Sequence, residues 1–149
     1  MKNYKFDSMR MKAGVVSSGI IVLLSVALSS MGQSAKTIQE KKISGRTVYE
    51  YFVDEGRDEP VVESIEKYDE QGHVLELKEF NRKGEVKRWE RYAYDPDGKL
   101  VEEVFLDPKG RVERTEKSIY SEGLRAEKQF YDKRDRLYKR KVYEYEYRD

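Results

Sequence analysis

The residues able to do chemistry are few. The chain has one histidine, His73, and no cysteine, so a thiol nucleophile, a cysteine–histidine pair and the usual zinc ligand sets are absent from it. His73 follows Gly72 at the start of a strand-like run. There it reads as a solvent-exposed turn residue, because a general base needs a nucleophile or acidic proton to serve and the pattern offers none. The acidic turns DPDG (95–98) and DEG (54–56) supply oxygens, but an EF-hand loop needs more ligands at fixed spacing and a closing glutamate. A glycoside hydrolase needs two opposed carboxylates. With 29 acidic residues in the chain some pair always exists, so that criterion carries no information. Glycines come singly, one per turn, and none opens a helix as a phosphate loop requires. No catalytic residue, cofactor-binding residue or metal ligand is assigned, and the chain reads as a non-enzyme.

Aromatic residues are the better lead. Trp89 stands mid-strand in KRWER, where it is either a stacking platform for a sugar ring or peptide or a partly buried core residue. Tyr143, Tyr145 and Tyr147 fall on alternate positions of the last run and share one face if that run is extended. Together Trp89, Tyr143, Tyr145 and Tyr147 form the candidate binding surface. The tetrapeptide Val-Tyr-Glu-Tyr occurs at 48–51 and again at 142–145, near the two ends of the repeat region.

These side chains are positioned by a repeat. Segments 68–93, 94–119 and 120–147 superpose with a period of about 26 residues. Each is built from a half-unit, [Tyr/Phe/Leu]-[Asp/Asn]-x-x-Gly-x-[Val/Leu], seen at 68–74, 80–86, 94–100 and 106–112. It degenerates at 120–125, one residue short, and at 131–137, where Asp135 replaces the glycine. Asp or Asn opening a turn bonds its own backbone two residues on, and glycine supplies the positive φ of a tight reversal. Between the turns lie short runs rich in Val, Leu, Tyr, Phe, Arg and Glu, bounded by turn chemistry and too short for helices. Eight strands are expected, over 47–53, 61–68, 73–80, 85–94, 99–106, 111–120, 124–131 and 136–147, the first two being a degenerate unit.

Short links between sequential strands imply antiparallel neighbours, hence an all-β meander. Alternation is imperfect: Val86 and Trp89 face opposite ways in a regular strand, as do Leu100 and Val101. Either bulges interrupt the strands or both faces carry apolar side chains. Eight strands about 4.8 Å apart make a sheet roughly 34 Å wide. Such a sheet either curls, with barrel-like closure, or stays a strongly twisted single layer shielded by long Lys, Arg and Glu stems. The first and last strands would be its edges. They close on each other, pair between two chains as a homodimer, or accept a strand from another protein.

The charged fraction is 40% and the hydrophobic fraction 38%, which predicts an ordered but thin-cored domain once the 12 tyrosines, 5 phenylalanines and one tryptophan are counted. Four basic residues, Lys2, Lys5, Arg10 and Lys12, precede an uncharged stretch from 13 to 35, with small residues at Ser30, Gly32 and Ser34. This reads as a signal peptide over 1–35, cut after Gly32 or Ser34, followed by a polar lead-in at 36–42 and a β-repeat domain over 43–149. An uncleaved membrane anchor is the alternative. The mature part then carries 26 basic against 28 acidic residues, a net −2, so no footprint for nucleic acid or anionic lipid is present. Without cysteine, the fold stands on packing and strand pairing alone.

The half-units YDEQGHV and YDPDGKL resemble the YD repeats of Rhs-type proteins and the short meander repeats of small bacterial proteins of unknown function. The resemblance covers about 80 residues, 68–147. It implies β-strand-and-turn architecture and a structural or binding role without catalysis. The repeats are too few to enclose another domain, as the large YD proteins do. The expected function is an exported, periplasmic, cell-surface or extracellular bacterial repeat protein, with an unidentified protein or glycan as partner and no membrane span after cleavage. A glycan-binding module and an inhibitor or immunity-type partner of a secreted protein are the alternatives.

Overall fold

The computed structural model describes residues 34–52 and 59–148; the signal-like segment up to residue 33 and most of the 54–60 connection lie outside them. The chain forms a short helix and eight strands: α1 (Ala35–Glu40), β1 (Gly45–Glu50), β2 (Val61–Tyr68), β3 (Val74–Phe80), β4 (Val86–Tyr94), β5 (Leu100–Leu106), β6 (Val112–Ser121), β7 (Leu124–Asp132) and β8 (Leu137–Val142). All eight strands form one antiparallel sheet in the order β1 to β8. The meander is thus as the turn-and-run pattern requires. β1 and β8 pair on one side only, so the sheet stays open and barrel closure does not occur.

The turns explain the repeat. In the unit beginning at Tyr68, the Asp69 carboxylate oxygen accepts from the backbone N–H of Gln71 (2.9 Å) and of His73 (2.8 Å). The Gly72 N–H closes on the Asp69 carbonyl at 3.1 Å and the Asp69 N–H reaches the His73 carbonyl at 3.0 Å. Gly72 sits at φ +84°, so this is a type I turn followed by a left-handed bulge residue. The same side-chain bonds recur at Asn81, Asp95, Asp107 and Asp132. The pairing register shifts at the aromatic or leucine that precedes each of these turns, as between Lys67 and Tyr68 or Ala93 and Tyr94. These bulges are why a strict two-residue alternation fails in the text of the sequence.

The two degenerate units have separate physical reasons. At 120–125 the missing residue leaves a two-residue hairpin with Glu122 at φ +51° and Gly123 at φ +84°, the mirror-image turn that suits strand twist. At the last turn Asp135 adopts φ +56° in the glycine's place. A left-handed conformation costs a non-glycine residue about 1–2 kcal/mol, less for Asp. Asp135→Gly is therefore expected to raise unfolding free energy by about 0.5–1 kcal/mol, measured by urea denaturation; no gain would mean that the Asp135 side chain offsets its own strain.

Two expectations need correction. The stretch 36–42 is not only a polar lead-in, because most of it is helical. Ser34 caps α1 by accepting from the Thr37 N–H at 3.3 Å, and Ile38, the one apolar residue able to anchor so short a helix, is 3% exposed. The last strand, expected over 136–147, ends at Val142. Beyond it the chain still follows β7: the Tyr143 N–H donates to the Ala126 carbonyl at 3.0 Å.

The core is thin. Ile38, Phe52, Tyr68, Val74, Leu77, Tyr92, Leu106 and Phe130 are its buried apolar members, and among the described residues no side chain is wholly sealed from solvent. A single sheet without a second layer leaves each ring covered by neighbours on its own face. Lysine and arginine stems supply that cover, as the Arg114 guanidinium does 3.5 Å from the Phe105 ring centre.

Candidate functional site

The register assigns side chains to faces. On the first face the directly paired row runs Arg46, Glu66, Leu77, Glu90, Phe105, Arg114. Beside it runs Tyr92, Glu103, Glu116, Phe130, Lys139. The second face carries the row Lys67, Glu76, Arg91, Val104, Thr115, Tyr131, with Trp89 paired to Lys78 next to it. Charged residues lie on both faces, and on the first they are the buried ones.

Three clusters hold those buried charges. Glu66 accepts from Arg46 at 2.7 Å and from the Tyr68 hydroxyl. Glu90 accepts from two nitrogens of Arg88, at 2.7 and 2.8 Å, and from the Tyr92 hydroxyl. Lys128 on β7 reaches across β6 to Glu103 on β5 at 2.9 Å, and also meets Glu116 on β6 at 2.7 Å. In the first two clusters a carboxylate taken out of water is matched by a cation and a tyrosine hydroxyl, and in the third a buried ammonium is matched by two carboxylates, which is what makes the burial tolerable. The carboxylates are thereby occupied, and none of the clusters sets a free acid or base against a nucleophile.

Burial first, and then the Glu66 hydrogen bond, pushes the Tyr68 hydroxyl up to about 12. Burial, with the Asp69 and Glu103 charges, takes Tyr94 up to about 12, and burial together with Glu90 drives Tyr92 further still. A phenol whose native value is raised stabilises the fold below its unfolded value, near 10, and that stability is lost as pH rises through the native value. The chain is expected to lose stability progressively from about pH 10 to beyond pH 12. Tyrosinate absorbance recorded beside circular dichroism checks this: ionisation of all tyrosines near pH 10 with the fold intact would contradict it.

The sequence-derived surface does not come together. Trp89 lies on the second face, and the register that continues past Val142 puts Tyr143 on the first. Four strand steps separate β4 from β8, roughly 19 Å. Nor is Trp89 an open platform. Its ring NH donates to Glu76 at 2.7 Å, the Lys78 ammonium lies 3.5 Å over the ring, and the ring edge abuts the Gly110 turn. It is a half-buried strand residue held by its neighbours on the second face.

The tyrosine series also has a structural use. The Tyr94 hydroxyl donates to the Val74 carbonyl at 3.0 Å, Tyr120 to Leu100 at 3.1 Å and Tyr145 to Arg125 at 2.8 Å. The first two hydroxyls tie the end of one strand to the beginning of the strand before it, and Tyr145 does the same from the segment that follows β8. Tyr145 thus belongs to the repeat, and its hydroxyl is committed within the chain. Tyr143 engages the Arg125 side chain. Only Tyr147 remains largely free, at 78% exposure.

His73 differs from the expected exposed residue. It is part-buried, stacked on Tyr94 at 4.6 Å between ring centres, bonded through Nδ1 to Asp69 at 3.0 Å, and pressed against the Gly98 turn. Its partners make it a spacer between two successive turns. Among the described residues no three His, Cys, Asp or Glu side chains gather as a metal would need. The DPDG carboxylate Asp95 is used by its own turn.

No family model and no curated protein matches the chain. Among the described residues no helix is long and apolar enough to cross a membrane.

What the geometry leaves available is an edge. All six residues of β8 are exposed, and β7 occupies only one side of it. Because the Tyr143 N–H points to Ala126, antiparallel alternation points the N–H and C=O groups of Lys141 and Lys139 to β7 as well. Those of Arg140 and Val142 point outward. The sequence could place an edge here, but not which backbone groups it offers.

Proposed function

We propose that the chain is an exported, non-catalytic repeat protein that acts by binding, at the bacterial cell envelope or outside it, through the open edge of its sheet. The observation that carries this reading is β8, a terminal strand paired on one side and exposed at every residue. An unpaired row of strand amides is a template for another strand. The signal-like segment at 1–35 supports export. The occupied carboxylates of the first face support a role without catalysis, since each buried acid already has its cation. Strand addition accommodates an inhibitor or immunity-type role. A glycan-binding role retains less support, because Lys78 and Gly110 cover Trp89.

Amide hydrogen exchange on the purified chain, with sedimentation at several concentrations, tests the reading. The amides of Arg140 and Val142 are expected to exchange freely while those of Lys139 and Lys141 are protected. A monomer in which all four are equally protected would overturn it, because the edge would then be covered within the chain. A dimer that Val142→Pro converts to a folded monomer would identify a second copy as the strand received, since proline removes an outward amide without touching the β7 ladder.

A further inference from the structure

We infer that the strand received by β8 is an acidic extended segment of another protein, with carboxylates at alternate positions. This rests on the edge-binding reading above and adds the chemistry of the partner.

The argument comes from how this sheet handles its cations. Across neighbouring strands Arg46 meets Glu66, Lys67 and Arg91 meet Glu76, Arg88 meets Glu79, Lys117 meets Glu102 and Lys128 meets Glu116, and Lys128 also reaches Glu103 one strand further on. The strands are zipped by opposite charge as well as by backbone bonds. β8 reads Leu-Tyr-Lys-Arg-Lys-Val, with three cations and no acid. Arg140 is matched by Glu127 of β7 at 2.6 Å. Lys139 and Lys141 are not matched: neither makes an ion pair among the described residues. Their direct partners on β7 are Phe130 and Lys128, the latter already committed to two carboxylates.

Lys139 and Lys141 lie on the same face, two residues apart, with the Phe130 ring centre 4.8 and 5.7 Å from their ammonium groups. Because their own backbone bonds go to β7, they occupy the positions that are not hydrogen-bonded towards an incoming strand. There the facing side chains come closest, with Cα atoms about 4.5 Å apart. A strand whose side chains opposite these two positions are Glu or Asp completes the pattern found across the interior of the sheet. A strand with Lys there would set like charges against them. The same rule disfavours a two-fold β8–β8 dimer, in which the lysines of both copies would share a face.

The probes are two fluorescently labelled eight-residue peptides with blocked ends, one alternating Val with Glu and one alternating Val with Lys, titrated against the full chain by anisotropy. At low salt the acidic peptide is expected to bind at least about tenfold more tightly than the basic one, with the difference shrinking as salt screens the charges. Lys139→Glu with Lys141→Glu reverses the preference. Val142→Pro abolishes binding of both, and because it leaves both lysines in place it separates strand pairing from simple charge attraction. Equal affinity for the two peptides, a preference that survives charge reversal, or acidic-peptide binding unchanged by Val142→Pro would overturn the inference. If neither peptide binds while the Arg140 and Val142 amides still exchange freely, the acidic partner falls and the open edge stands. If those amides are protected, both fall.

Discussion

Replacing Lys128 by alanine is expected to lower the unfolding free energy by about 3–5 kcal/mol, the cost of removing the shared cation of two partly buried carboxylates, of which Glu116 keeps only Arg114 at 3.3 Å. Lys128 is only 8% exposed, although it is a lysine. Its ammonium is the common partner of Glu103 and Glu116, on two different strands. Burial disfavours its charge, but the two carboxylates more than offset that and hold the ammonium above the usual lysine range. Removing it leaves two like charges on neighbouring strands, Glu103 and Glu116 being direct cross-strand partners. Urea denaturation of Lys128→Ala measures the loss. The companion Lys128→Met with Glu103→Gln and Glu116→Gln recovers much of it, because the acids are then neutral and the methionine keeps the volume. A loss below about 1 kcal/mol for Lys128→Ala would show instead that the cluster is as weakly coupled as a surface ion pair.

Gly72→Ala is expected to be the most damaging of the glycine substitutions, and Gly84→Ala is its control. Both residues have positive φ, +84° and +77°, so both substitutions incur about 1–2 kcal/mol of left-handed strain. They differ in what an added methyl meets. At Gly84 there is open space, whereas at Gly72 the methyl carbon would lie 2.2 Å from the Ala35 carbonyl oxygen. Backbone cannot yield as a side chain end does, so α1 must move off the β2–β3 turn. Exposing Ile38 then adds about 1.5–3 kcal/mol. Gly72→Ala is therefore expected to cost about 2 kcal/mol more than Gly84→Ala, with faster tryptic cleavage at Lys41 and Lys42. Equal losses and unchanged cleavage would mean that α1 does not depend on that contact.

Much of this protein was legible because its local rules repeat. Aspartate or asparagine followed three residues later by glycine fixes a turn by local bonds alone, and those bonds need no distant partner. The strands β2 to β6 and their order follow from where four such turns fall, and β7 and β8 from their degenerate forms, since short links leave antiparallel neighbours as the only choice. Even the irregular alternation at Val86 and Leu100 was visible as a signal, and its cause proved to be a bulge at each aspartate turn and mixed faces as well.

What depends on distant residues was not legible. Residues 36–42 read as polar, yet a helix forms because Ile38 finds cover and Gly72 admits the Ala35 carbonyl, a contact between segments far apart in sequence. The end of β8 could not be read from a tyrosine alternation that runs on to Tyr147, because a strand without a second neighbour loses its ladder early. Trp89 and Tyr143 look alike as exposed aromatics in a line of text, but the bulges and the strand count put them on opposite faces. Which carboxylates are buried was equally hidden. Any of the many acids satisfies a pairing rule in sequence, and only the register brings Glu66 to Arg46 and sets Glu103 and Glu116 around Lys128. Strands, turns and their succession can be read along the chain, because those are set by neighbours within a few residues. Only the assembled sheet shows that its edges stay open, which faces hold the charges, and that among the described residues Lys139 and Lys141 of its last strand are left without acids.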